Sequence, residues 1–293
     1  MASFLDRLAD GRVLLAEGAT GTNFQQMGLP PGVAPEEWVF DVPDRVRELH
    51  ARFVRAGSEF ALTCSFGANS ARLADGPLSG RVRELNIRAA ELAREVLGED
   101  GLVGGAIGPT GQLVEPYGPL TREVCETAYA EQAQALVEGG VDVLVLETFF
   151  ALEEALWAVE GIRGVTELPL IISFSFDQGT RTMMGVSPAD VVAAFRPLGV
   201  AALGANCGRS LEDNDTVVRE FLQATSVPVW IKPNAGVPHV LGDTVVYEAD
   251  PATLAAHVAD YARQGARIVG GCCGTTPEHI AAIARALGRE TPR

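Results

Sequence analysis

Long apolar runs are missing from this chain. No stretch approaches the roughly 18 residues that a membrane-spanning helix requires, so none is expected. The N-terminal segment Met1-Ala2-Ser3-Phe4-Leu5-Asp6-Arg7 lacks a basic stretch followed by an apolar core, so no signal peptide is expected. Positive charge is scarce, with 23 Lys and Arg against 38 Asp and Glu and a net charge of −15. No basic stripe exists to neutralise phosphates, which argues against nucleic-acid binding, and the acidity reads as solubility. Aromatic residues are few (6%), leaving Ala, Val, Leu and Gly to carry the apolar load. The five cysteines are odd in number, two are adjacent, and no CxxC occurs. A disulfide framework fits poorly, so a reducing cytoplasm is expected.

What is present is a repeated alternation. The chain has 293 residues and is 47% hydrophobic, enough for one large α/β barrel or two smaller domains. Apolar runs at Val13–Ala16, Glu59–Thr63, Leu102–Ile107, Val141–Glu147, Leu170–Phe176, Ala201–Ala205, Val227–Ile231 and Arg267–Gly270 read as strands. Helical stretches follow at Asp44–Ala56, Arg81–Leu97, Arg122–Glu138, Leu152–Arg163, Pro188–Phe195, Leu211–Ala224, Ala252–Gln264 and Pro277–Leu287. Near-continuous apolar strands alternating with helices imply a parallel sheet covered on both faces. Eight such units predict a TIM (β/α)8 barrel, a single domain over residues 1–293. The alternative is a doubly wound open sheet with a glycine-rich phosphate loop after its first strand. Glu17-Gly18-Ala19-Thr20-Gly21-Thr22 occupies that place without the full spacing, a weak signal for a nucleotide. The long unassigned segments Asn23–Val42, Gly108–Leu120 and Asn234–Ala249 all follow strands, and would gather at the C-terminal face where barrels build their sites.

Polar residues at the strand ends are the candidates for chemistry. Cys207 lies in Gly204-Ala205-Asn206-Cys207-Gly208, after strand six. Cys272 and Cys273 lie in Gly270-Gly271-Cys272-Cys273-Gly274-Thr275, after strand eight. Those two strand ends would stand about 10 Å apart, close enough for side chains to converge on one ion. Three thiolates around Zn²⁺ would leave a fourth position open, the pattern of a catalytic site. Small buried thiols, a disulfide and redox chemistry remain open at this point. Cys64 and Cys125 read as structural. His50, His257 and His279 fall on predicted helices, where a surface or packing role is the default, and His239 lies in the loop after strand seven. Glu17 and Glu147 end strands one and four. A carboxylate there is costly to bury unless it pairs with a cation, which is either a barrel arginine or lysine or a substrate ammonium. The Glu17–Thr22 loop presents backbone N–H groups able to cradle a carboxylate, unless it is merely a tight turn.

These motifs resemble the zinc-dependent homocysteine S-methyltransferases, including the homocysteine-binding module of cobalamin-dependent methionine synthase and betaine–homocysteine methyltransferase. The matching stretches are Glu17-Gly18-Ala19-Thr20-Gly21-Thr22, Phe66-Gly67-Ala68-Asn69, Gly108-Pro109-Thr110-Gly111, Glu147-Thr148-Phe149, Gly204-Ala205-Asn206-Cys207, Pro233-Asn234-Ala235-Gly236 and Gly270-Gly271-Cys272-Cys273-Gly274-Thr275-Thr276-Pro277. The resemblance implies a TIM barrel with Cys207, Cys272 and Cys273 as zinc ligands. It implies that Glu17 and Glu147 hold the homocysteine amino group, that backbone around Gly18, Ala19 and Thr20 takes its carboxylate, and that Asn206 belongs to the site. The family usually has Asp where this chain has Glu17, so the amino-acid pocket is expected to differ there.

For the methyl donor, the Phe66–Asn69 stretch looks more like the methionine synthase module, and no cobalamin- or folate-binding module is seen. Methylcobalamin on a corrinoid partner protein is therefore the expected donor. A small sulfonium or betaine donor (S-methylmethionine or glycine betaine) is the alternative. Trp38, in the loop after strand one, would face such a cation by cation–π contact, with Phe66, Asn69 and Asn234 on the same side. Two readings of other classes are a non-catalytic methyl-acceptor subunit of a corrinoid complex, and a redox or acyl-transfer enzyme using Cys207 or Cys273 as nucleophile.

Overall fold

Strand order decides between a barrel and an open sheet. The computed structural model describes residues 3–241 and 244–289. Its strands are β1 (Leu14–Leu15), β2 (Phe60–Leu62), β3 (Leu102–Ile107), β4 (Val143–Phe149), β5 (Leu170–Phe174), β6 (Ala202–Cys207), β7 (Val229–Pro233), β8 (Pro238–Leu241), β9 (Thr244–Tyr247) and β10 (Ile268–Val269). All but β8 and β9 form one sheet in the order β1-β10-β7-β6-β5-β4-β3-β2, every pair parallel. A parallel bridge between Ala16 and Phe60 joins the two ends. There Glu17 N–H donates to the Phe60 carbonyl at 2.9 Å and Glu59 N–H to that of Leu15 at 3.0 Å. This closure makes the sheet a (β/α)8 barrel, as the alternation of strands and helices predicts.

Side chains alternate across each strand. Phe60, Leu62, Ala106, Val143, Val145, Ile171, Ala202, Trp230 and Ile268 fill the barrel interior. Their neighbours Leu144, Leu146, Ile172, Leu203 and Ile231 pack outward against the helices. The same period of two brings Glu147, Ser173, Asn206 and Lys232 to the inside of the barrel at its C-terminal mouth.

The eight surrounding helices, Pro43–Arg55, Val82–Leu97, Arg122–Glu138, Leu152–Arg163, Pro188–Phe195, Leu211–Ala224, Pro251–Gln264 and Pro277–Ala286, agree with the sequence reading to within about two residues at each end. Several features depart from it, among them the following. A helix at Phe4–Ala9, opened by a Ser3–Asp6 capping box, plugs the opposite end of the barrel with Phe4 and Leu8. Within Asn23–Val42, helical turns form at Pro35–Glu37 and Trp38–Asp41. Asn234–Ala249 carries the antiparallel hairpin β8–β9, with Pro238 opposite Tyr247. Among the described residues no helix is long and apolar enough to cross a membrane.

Candidate active site

The barrel mouth brings Cys207, at the end of β6, together with Cys272 and Cys273, just beyond β10. Their three sulfurs all lie within 4.8 Å of one another, and Cys207 Sγ is 3.0 Å from Cys272 Sγ. All five cysteines are free thiols here. Tetrahedral Zn–S bonds of about 2.3 Å place ligand sulfurs about 3.8 Å apart, so the cluster is of the right size for that ion. Hydrogen bonds from Cys207 and Cys272 pull the Cys273 thiol down to about 3, against the effect of its burial. The bonds to Cys272 and Cys273, with burial, hold Cys207 well above the ordinary thiol range. The cluster thus favours negative charge on Cys273 over Cys207.

The backbone beneath the cluster is strained. Thr148 (φ 65°) and Cys207 (φ 59°) both adopt the left-handed conformation, an outlier for a β-branched threonine. Asn206 braces them. Its Oδ1 accepts from Thr148 N–H at 2.8 Å and from Ser173 Oγ at 2.6 Å. Its Nδ2 donates to Thr148 Oγ1 at 2.6 Å and lies 3.5 and 3.7 Å from the sulfurs of Cys207 and Cys272. Gly204, two residues before Asn206, permits this approach: a Cβ there would lie 1.8 Å from the Trp230 carbonyl oxygen. At Gly274 a Cβ would lie 2.2 Å from the ring of Tyr247, which the β8–β9 hairpin lays over the Cys273 side of the cluster.

The thiols open into a cavity of about 580 Å³. Glu17, Glu147 and Lys232 line its inner part, all at most 8% exposed. Glu17 Oε2 meets His50 Nδ1 at 3.0 Å, and its Oε1 accepts the Leu62 N–H at 2.9 Å. Glu147 forms no ion pair among the described residues. Burial pushes its carboxyl up to about 7, opposed chiefly by the charge of Lys232. Gly18, Ala19 and Thr20 line the cavity as expected. The Ala19 N–H is already bound to Thr275 Oγ1 at 3.0 Å, whereas those of Gly18 and Thr20 have no protein partner among the described residues. The outer part is lined by Glu36, Glu37, Phe66, Arg72 and Leu78. There Glu36 Oε1 accepts the Gly67 N–H at 2.6 Å, and the Arg72 guanidinium lies 5.6 Å from the Phe66 ring centroid.

Of the donor-side candidates, only Phe66 lines the cavity. Trp38 is buried against Phe24, with ring centroids 4.8 Å apart, and packs its loop onto the barrel. Asn69 caps the Ser70–Leu73 helix by accepting from Arg72 N–H at 2.9 Å. Asn234 donates to the Gly208 carbonyl at 2.9 Å, and its buried Oδ1 has no hydrogen-bond partner among the described residues. His239 pairs with Glu248 on the exposed hairpin. Cys64 and Cys125 are buried outside the cluster, their thiols raised chiefly by that burial. Lys232 and Tyr247 are among the site residues that the sequence reading leaves out, and His50, read there as a surface or packing residue, holds Glu17.

A closed (β/α)8 barrel bearing three convergent thiols and two buried carboxylates at its C-terminal mouth defines an enzyme with a three-cysteine centre fitted to a zinc-sized ion. The chain belongs to the homocysteine S-methyltransferase family, whose model matches residues 14–287. It is 31% identical to methionine synthase of Mycobacterium leprae over 97% of its own length, but spans only 25% of that protein. It is similar along almost its whole length to the crystal structures of the homocysteine methyltransferase MmuM from Escherichia coli. The metallated form is 26% identical, with a TM-score of 0.81 over 95% of this chain and 98% of that one. The oxidized form is 27% identical, with a TM-score of 0.82 over 96% and 98%.

Proposed function

We propose that this protein methylates the thiol of L-homocysteine to give methionine, with Cys207, Cys272 and Cys273 holding a zinc ion and a small sulfonium or quaternary ammonium compound as methyl donor. One observation carries the reading: a single cavity joins the three thiols to two buried carboxylates on one side and to a second, acidic part on the other. When bound, zinc supplies Lewis acidity that keeps a fourth thiol deprotonated at neutral pH. Glu147, which has no ion-pair partner among the described residues, takes the substrate ammonium together with Glu17. The unused N–H groups of Gly18 and Thr20 take its carboxylate. Asn206 fixes the backbone that carries Cys207 and directs N–H groups at the sulfurs.

The outer part of the cavity favours a small cation. Glu36 and Glu37 supply negative charge, and half-buried Phe66, which lines the cavity beside Arg72, takes the place of Trp38 as the aromatic residue on this side. A volume of about 580 Å³ lies in the small-molecule range, with room for two amino-acid-sized reactants. Holding sulfur and methyl group in one enclosed space supplies the alignment that methyl transfer needs.

The 31% identity to methionine synthase favours a second reading, in which methylcobalamin on a partner protein presents the methyl group at the cavity mouth. Incubating zinc-loaded protein and homocysteine with S-methylmethionine, glycine betaine or methylcobalamin separates the two. Methionine formed from one of the small onium donors supports the first reading. Methionine formed only when a methylated corrinoid protein is added overturns it in favour of the second.

A further inference from the structure

Lys232 is the single lysine of this chain, which has 23 lysine and arginine residues together. It is also buried, at 3% exposure, inside the barrel mouth. It follows the inward-facing Trp230 by two residues on β7, and its ammonium stands 5.5 Å from that ring's centroid. The side chain lines the cavity beside the thiols, yet among the described residues the ammonium makes neither an ion pair nor a hydrogen bond. A buried ammonium left this way is costly unless negative charge lies nearby to hold it. Glu147 and the three thiols line the same cavity as Lys232, whose charge favours the Glu147 carboxylate.

We infer that Lys232 is the fixed counter-cation of the thiolate centre, a positioning residue that stabilises the homocysteine sulfur as a thiolate. The inference rests on the zinc–homocysteine reading above. Three thiolates around a divalent ion leave one net negative charge, and a fourth makes it two. Glu17 and Glu147 add to this charge, the substrate ammonium offsets only part of it, and Arg72 lies in the other part of the cavity. Lysine suits the task because its ammonium is a compact point charge, here standing over the Trp230 ring, whereas a planar guanidinium is shaped for bidentate pairing. All the other lysine and arginine positions of the chain are arginine, and its single lysine stands here.

Two measurements test the inference. In Lys232→Met and Lys232→Gln, carried in the zinc-loaded full chain, the dissociation constant for homocysteine should rise about ten-fold while that for methionine, which shares the ammonium and carboxylate but has a neutral sulfur, stays within about two-fold. Zinc should also be lost more readily to a competing chelator. Equal losses for homocysteine and methionine would make Lys232 a carboxylate contact, and unchanged homocysteine binding would make it a spectator; either overturns the inference. The wild-type chain provides the second measurement. Labelled with [15N]lysine it yields one side-chain resonance, expected in the ammonium form and expected to move when homocysteine is added to the zinc-loaded protein. A neutral amine, or a resonance that ignores homocysteine, also overturns it. Wild-type protein that binds no zinc sinks the underlying reading instead, whatever the variants do.

Discussion

His50 Nδ1 lies 3.0 Å from Glu17 Oε2, and both side chains are 2% exposed. The helix Pro43–Arg55 thus reaches across the closure between β1 and β2 to hold a cavity carboxylate, whose other oxygen is fixed by the Leu62 N–H. The extra methylene of Glu17, relative to the aspartate usual in the family, is accommodated by anchoring the carboxylate at both oxygens.

His50→Leu strands that carboxylate. Removing one partner of a buried pair should destabilise the protein by about 3 kcal/mol. Glu17→Gln combined with His50→Leu should cost less than the sum of the two single changes, because the residues share one interaction. Urea unfolding of the four proteins measures this. Additive losses would mean that the pair is not coupled.

Glu147→Gln should trade stability against substrate binding. The folded-state pKa of Glu147 is raised to about 7 from an ordinary 4.5, so between those values the folded protein binds more protons than the unfolded chain. The group's contribution to stability therefore falls as pH rises through that window. The variant escapes this loss and should be the more stable by about 2 kcal/mol at pH 8, with little difference near pH 5. Unfolding of metal-free protein across this range checks the sign. At the same time the variant's KM for homocysteine should rise about ten-fold with its zinc content unchanged. An unaltered KM would place Glu147 in a purely structural role.

Asn206→Asp keeps the shape of the brace but swaps N–H donors for a negative charge 3.5 to 3.7 Å from two sulfurs. Groups that support metal ligands typically contribute 10–100-fold in affinity, so zinc binding should weaken by roughly that factor. Asn206→Ala should weaken it less and lower stability more, because Ser173 and Thr148 lose their buried acceptor. Chelator competition and thermal melts on both variants would show whether that order holds.

Gly204→Ala should abolish soluble folded protein. Its Cβ would fall 1.8 Å from the Trp230 carbonyl oxygen, and a backbone atom inside a closed barrel has nowhere to move. Soluble expression with unchanged circular dichroism would contradict this.

The barrel was legible because strands buried on both faces must be continuous apolar runs, which stand out between amphipathic helices. The thiol cluster was legible because glycine-flanked cysteines sat where strands end. The hairpin β8–β9 escaped notice because it is short and exposed, with Val240 79% and Val245 51% accessible, so it carries no burial pattern. The pairing of His50 with Glu17 spans 33 residues and exists only once β1 and β2 meet. Trp38 looked available to a ligand because an aromatic residue in a loop does not reveal which side its neighbour Phe24 will cover. Lys232 had a compositional signal, the lone lysine, and a positional one, two residues beyond an inward-facing tryptophan.

Zinc-edge X-ray absorption on the zinc-loaded protein, with and without homocysteine, tests the central claim most directly. The account predicts one zinc per chain with three sulfur ligands near 2.3 Å, rising to four when homocysteine is added, and loss of the metal in Cys273→Ser. A sulfur count that homocysteine leaves unchanged, or zinc held equally well without Cys273, would contradict it.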